Sequence, residues 1–220
     1  MLDCIEIEPK SDATASVIWL HGLGADGNDF VPIVDELGLG ADHGARFVFP
    51  NAPVRPVTIN NGMSMRAWYD IAGVSIADKQ DVDGIHASAA EIEALIAREN
   101  GRGVPTERIV LAGFSQGGAI ALHAGLRHTE SLAGIMALSC YLPLHESLDS
   151  EAAPGNAATS IFMAHGSEDP MVPVSLGRSS RDMLQQAGYA VDWHEYPMQH
   201  QVCMPQIQDI GGWLATRLNN

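Results

Sequence analysis

The sequence predicts an α/β protein with an open, mostly parallel central sheet and helices on both faces. Apolar runs of strand length alternate along the chain with longer stretches of helical period. Several strand runs are continuous in Val, Ile, Leu and Phe, the pattern of strands covered on both faces. No internal repeat or low-complexity linker divides the chain, so residues 1–220 are expected to form one domain.

The elements follow in order. Strands are expected at 5–8, 16–21 and 46–50, with a helix at 29–39 between the last two. Residues 52–84 carry Pro, Gly, Asn and Trp without a clear long period. A helix at 85–99 follows, where Ile92, Leu95 and Ile96 recur at helical spacing and alanines thin the face for close packing. The buried run 108–114 predicts a strand, and 116–127 a helix of small residues. Strands at 132–139 and 160–165 flank a polar loop, 143–159. A helix at 174–187 then leads to a strand at 190–196, alternating through Val191, Trp193 and Glu195 and ended by Pro197. A helix at 205–218 closes the chain. Neither loop excursion is long enough to be a domain of its own, so no large cap is expected. In such sheets ligands bind beyond the carboxyl ends of the strands, so residues just after strands deserve first reading.

Gly22, Gly24 and Gly27 spell G-x-G-x-x-G after an apolar run, the spacing of a dinucleotide-binding turn. That reading requires an acidic residue at the tip of the next strand. Here that strand ends in Pro50 and Asn51, so the reading fails.

The strongest motif is "IVLAGFSQGGAIAL". G-x-S-x-G between a buried strand and a helix has a mechanical meaning: Gly113 and Gly117 remove side chains that would collide in the turn, leaving Ser115 exposed on a strained elbow. A serine hydroxyl needs a base, and the partners are sought downstream in the order acid, then histidine. In "IFMAHGSEDPMVP" Asp169 sits in the loop just past a strand, with Glu168 its nearest rival. His200 follows the strand at 190–196, in the loop before the last helix.

The other histidines have plainer readings. His194 lies within a strand, and His165 suits packing or a turn. His43, His86, His123, His128 and His145 are read as solvated and without partners. "HEYPMQH" is no zinc motif, because Pro197 breaks the helix that H-E-x-x-H requires. The His-Gly loop after the strand at 16–21 then finds its use: it supplies a second oxyanion donor, the Leu23 amide, beside that of Gln116 at the helix start.

The 12 Lys and Arg against 27 Asp and Glu give a net charge of −15, which repels nucleic acids and anionic membrane surfaces. Three widely spaced cysteines suggest neither a zinc site nor a disulfide framework. No basic n-region precedes an apolar stretch, and no apolar run approaches the roughly 20 residues of a membrane span, so a cytoplasmic location without stable membrane insertion is expected.

The stretches "HGLGADGNDF", "RAWYDI", "GFSQGGAIAL", "HGSEDPMVP" and "YPMQHQVC", in this order, resemble the bacterial carboxylesterases related to the acyl-protein thioesterases and lysophospholipases, within the α/β-hydrolase superfamily. The resemblance implies Ser115 as nucleophile, Asp169 as orienting acid, His200 as base, and Leu23 and Gln116 as oxyanion donors. It places Trp68 beside the site, as a wall of the acyl pocket or as a buried core residue. Met65, Leu142, Met171 and Val172 complete the expected substrate-binding set. Gln199 and Gln201 flank His200 where relatives often carry Gly and Ser.

The expected function is hydrolysis of carboxylic esters, with thioesters and lysophospholipids also open, through an acyl-enzyme and without metal or organic cofactor. The partner is then a small-molecule, lipid or acyl-protein ester, and the resemblance makes a homodimer plausible. Two alternatives stay open: a dienelactone-type or peptide-directed hydrolase on the same scaffold, and a binding protein that keeps the fold without catalysis.

Overall fold

The computed structural model describes residues 1–40, 43–73 and 80–218. Its centre is a seven-stranded sheet built from β1 (Cys4–Ile7), β2 (Ala15–Leu20), β3 (Ala45–Pro50), β6 (Ile109–Phe114), β7 (Gly134–Leu138), β8 (Ile161–Gly166) and β9 (Val191–Tyr196). The order is β1-β3-β2-β6-β7-β8-β9; β1 runs antiparallel to β3, and the other neighbours are parallel. All seven expected strands are present, with ends shifted by one or two residues.

The continuous apolar runs are explained by two separate cores. Ile18, Leu20, Ile109, Leu111, Ile135, Ala137, Ile161 and Met163 face one side. There they meet α1 (Val82–Gly101), α2 (Gln116–Arg127) and α4 (Val174–Gln186) through residues such as Ile92, Ile120 and Leu184. The alternate residues Val17, Trp19, Val110, Ala112, Met136, Leu138, Phe162 and Ala164 face the other side, against α5 (Met204–Leu218) and its Ile210, Trp213 and Leu214. Period two therefore persists along each strand, but both faces are apolar. Each fully buried Ile or Leu contributes about 1.5–3 kcal/mol over its exposed state, so β2, β6, β7 and β8 form the best-anchored part of the sheet.

Three expectations need correction. The helix expected at 29–39 is a 3-10 turn over Val31–Leu37: Pro32 stands at its start, Gly38 ends it in the left-handed region, and the Ile33 N–H bonds back to Phe30 O. The stretch 52–84 holds a two-stranded hairpin, β4 (Val54–Val57) and β5 (Met63–Arg66), turned by Asn61 and Gly62 at positive φ. The loop at 143–159 contains a one-turn helix, α3 (Leu148–Glu151), whose short period escaped the pattern reading.

At the amino ends of β2 and β3, Glu99 is fully buried among Ser16 Oγ (2.6 Å), Arg46 (2.7 Å), Arg102 (3.0 Å) and Arg98 (3.1 Å). Burial pushes its carboxyl up, but the hydrogen bonds from Ser16 and Arg46 and the Arg102 charge win, leaving it below the usual glutamate range. A depressed carboxylate contributes stability that is complete above the unfolded value of about 4.3 and is lost as pH falls through the folded one. Glu99→Gln should therefore cost about 3 kcal/mol near neutrality, since it takes the buried charge away from Arg46, Arg98 and Arg102 and leaves them only the more exposed Glu6 and Glu8. Urea unfolding at pH 7 and pH 3.5 checks this: the gap between variant and parent should narrow at the lower pH.

Candidate active site

The carboxyl ends of β2, β6, β8 and β9 converge on one point. At the end of β6, Ser115 sits at φ 55°, ψ −121°, outside the ordinary helical and extended regions, and α2 begins at the next residue. Holding a non-glycine residue there costs about 1–3 kcal/mol, so the surroundings must enforce it. They do so through close packing. A Cβ on Gly113 would lie 2.3 Å from the carbonyl carbon and oxygen of Gly117, and one on Gly117 would lie 2.5 Å from both Leu20 O and His21 O. The Ser115 N–H is also anchored to Leu138 O at 2.8 Å.

His200 comes from the loop after β9. Its Nε2 is 2.9 Å from Ser115 Oγ and its Nδ1 is 2.6 Å from Asp169 Oδ2. The Phe114 ring packs against the imidazole at a centroid distance of 4.7 Å. Asp169, in the loop after β8, has a fully buried side chain, and its Oδ1 accepts from the Met171 N–H (2.8 Å) and the Val172 N–H (2.9 Å). A buried carboxylate so held can accept the imidazole N–H and favour the charged ring, and the ring can take the hydroxyl proton.

The two loops carrying acid and imidazole are bound to each other. The Ser167 N–H reaches Tyr196 O (2.8 Å) and the Glu168 N–H reaches Met198 O (3.1 Å). A Cβ on Gly166 would lie 2.3 Å from Met198 O and 2.4 Å from Gln199 O, so only glycine allows this contact. Glu168, the rival of Asp169, is exposed and does not meet His200.

The His-Gly loop after β2 lies against the elbow: a Cβ on Gly22 would be 3.5 Å from Ser115 Cβ. The Leu23 amide has no hydrogen-bond acceptor among the described residues, and Gln116, first in α2, has an N–H without an intrahelical acceptor. Two free N–H groups therefore flank the serine, at the positive end of the α2 dipole.

Of the other expected site residues, Trp68 takes the core alternative, and Leu142 is buried as well. Both belong to the core; the Trp68 indole Nε1–H donates to His21 O (2.9 Å) and the Leu142 N–H to Ser180 Oγ (2.8 Å). Val172 is buried as well and serves Asp169 through its backbone. Met171 is 69% exposed and Met65 is half-buried beside Gly24, so both can meet a ligand. Gln199 and Gln201 are exposed on either side of His200.

Several histidines also depart from expectation. His128 is buried and bonded to Glu93 (2.7 Å), and His43 accepts from the Ala45 N–H (3.0 Å). His123 is buried beside His86, and burial lowers its pKa to about 3. His165, assigned to packing, does more: its Nε2–H donates to Val172 O at 2.8 Å, bracing the strand of loop that serves Asp169. Burial pushes its pKa down and keeps it neutral for that task. The pattern reading missed this role; its signal was a histidine at the very end of a strand in "HGSED".

Comparison with known proteins adds an independent line. The model of the phospholipase/carboxylesterase family matches residues 2–218. Acyl-protein thioesterase 1 of Yarrowia lipolytica is 39% identical over 97% of this chain and 96% of its own length. The protein of the same name from Neurospora crassa is 40% identical over 93% and 87%, respectively. The crystal structure of acyl-protein thioesterase 2 from Zea mays superposes with a TM-score of 0.87 at 27% identity, covering 99% of this chain and all of that one. All three come from fungi or a plant, and they carry the family without singling out its bacterial members.

Proposed function

The chain belongs to the phospholipase/carboxylesterase family of α/β-hydrolases, and from that membership we propose a specific catalytic assignment for this carboxylic ester and thioester hydrolase. Ser115 is the nucleophile, His200 the general base and then acid, and Asp169 the group that fixes the imidazole tautomer. The observation that carries the assignment is the continuous chain Ser115 Oγ to His200 Nε2 (2.9 Å) and His200 Nδ1 to Asp169 Oδ2 (2.6 Å).

In the first half-reaction His200 takes the hydroxyl proton as Ser115 Oγ attacks the carbonyl carbon. The Leu23 and Gln116 amides receive the negative charge that forms on the carbonyl oxygen. His200 then gives its proton to the leaving alcohol or thiol, and an acyl group remains on Ser115. Water repeats the sequence and releases the acid.

The substrate reading is a flexible acyl chain on a lipid or protein ester or thioester. Exposed Met171, held through its N–H to Asp169, and half-buried Met65, beside Gly24, offer apolar surface to an acyl chain, and the fungal relatives are acyl-protein thioesterases. A fluorophosphonate probe tests the assignment: it should modify the protein once, with the adduct mapped to Ser115 by peptide mass spectrometry. A parallel series of p-nitrophenyl esters and acyl-thiol substrates of increasing chain length should show kcat/KM rising beyond acetate. Modification elsewhere, or none, would remove the assignment.

A further inference from the structure

One buried histidine, His21, lies on the loop that carries Leu23 and takes no part in proton transfer. We propose that the His21 imidazole is the positioning residue that aims the Leu23 amide at the reacting oxygen, by gripping the opposite side of the peptide that carries it. This rests on the assignment of Leu23 as an oxyanion donor.

The Gly22 carbonyl and the Leu23 N–H belong to one planar trans peptide, so they point in opposite directions and turn together. The fully buried His21 ring holds Gly22 O with Nδ1 at 2.7 Å. Its Nε2 lies 3.1 Å from the Ala52 N–H, which can only donate. The tautomer is thereby fixed: Nε2 accepts, and Nδ1 carries the proton given to Gly22 O. Burial pushes the pKa of the ring down, which keeps it neutral and the arrangement intact. Rotation of the Gly22–Leu23 peptide away from Ser115 would break a buried hydrogen bond and leave a carbonyl and a ring N–H unpaired. The bond to Gly22 O also polarises the N–H on the far side of the same peptide.

The rest of the loop is held to the same standard. The Trp68 indole Nε1–H donates to His21 O (2.9 Å), and the Gly24 N–H donates to Arg66 O (2.9 Å). The second donor is tied to the same tryptophan, because the Gln116 carboxamide accepts from the Trp68 N–H (2.8 Å) and donates to Tyr69 O (2.7 Å). Trp68 thus links the peptide after β2 to the first residue of α2. Two amides from distant parts of the chain are tied to one tryptophan, the first through its indole and His21 and the second through its backbone N–H.

The test separates grip from mere filling of space. His21→Asn places a side-chain N–H near the position of Nδ1 and keeps the hold on Gly22 O. His21→Gln reaches the Ala52 side and loses that hold, and His21→Leu loses both. Expected for Leu and Gln is a fall in kcat of about 10²-fold, the effect of misplacing a group at the reacting centre, with KM within about twofold of the parent. The affinity for an alkyl boronic acid, which forms a tetrahedral adduct on serine, should fall in the same ratio. His21→Asn should recover about tenfold of the loss.

Equal activity of the Asn and Gln variants at matched melting temperature, or full activity of His21→Leu, would overturn the proposal. If the Leu variant does not fold, the Asn and Gln pair decides alone. Ser115→Ala runs as the control: an inactive control with unaffected His21 variants removes only this inference, whereas an active control removes the assignment on which it rests.

Discussion

Replacement of Ser115 by alanine should lower kcat for p-nitrophenyl butyrate by about 10⁶-fold and leave KM nearly unchanged. The hydroxyl oxygen is the atom that forms the acyl bond, and nothing else at the site replaces it: His200 Nε2 and Asp169 are already committed to each other and to that oxygen. The fold should survive. Alanine at φ 55° is no more strained than serine, and the elbow is held by backbone contacts, including the Ser115 N–H to Leu138 O. The check is steady-state turnover alongside thermal unfolding: an intact melting transition with no acyl release and no fluorophosphonate labelling is the expected pair. Turnover near the parent level by a purified variant would refute the nucleophile assignment.

The second large effect is structural. Gly117→Ala should destabilise the protein by about 3–5 kcal/mol, because its Cβ would meet the carbonyl oxygens of Leu20 and His21 at 2.5 Å. Both contacts are backbone, one at the end of an inner strand and the other in the loop that carries Leu23, so neither can swing aside. Whatever folded protein remains should also lose activity, since shifting α2 displaces the Gln116 amide. A matched control is Gly212→Ala in α5, exposed and with nothing within 4 Å of the added carbon. There the loss of unfolded-chain freedom should give a gain of about 0.5–1 kcal/mol. Urea unfolding of the two variants checks the contrast. A Gly117→Ala midpoint equal to the parent would mean that the close approach is absent.

The two-faced burial of the sheet was legible because it leaves continuous apolar runs, and the Gly113–Ser115–Gly117 elbow because its spacing follows from collision. The convergence of Asp169 and His200 was legible only as an order along the chain; their distances depend on the adjacency of β8 and β9. The hairpin at Val54–Arg66 escaped because four-residue strands carry too little period, and the turn at Val31–Leu37 because a 3-10 helix shares the apolar spacing of a short α-helix. The burial of Leu142 was not legible, and Trp68 read equally as pocket wall or core. A large apolar residue in a loop reads the same whether it lines a pocket or fills the space behind it, and only neighbours distant in sequence decide. His21 illustrates a third case: its place at the end of a strand was visible, but one of the two backbone atoms it joins lies past the next strand, 31 residues on.

Among the described residues β9 pairs with β8 alone, and the imidazole of His200 hangs from its carboxyl end. The serine elbow is three strands further in, on β6, with partners on both sides. The reactive pair thus spans regions of unequal cohesion. Fraying at the outer border of the sheet is therefore expected to withdraw the base first, so that turnover fades at a lower urea concentration than the helical signal does.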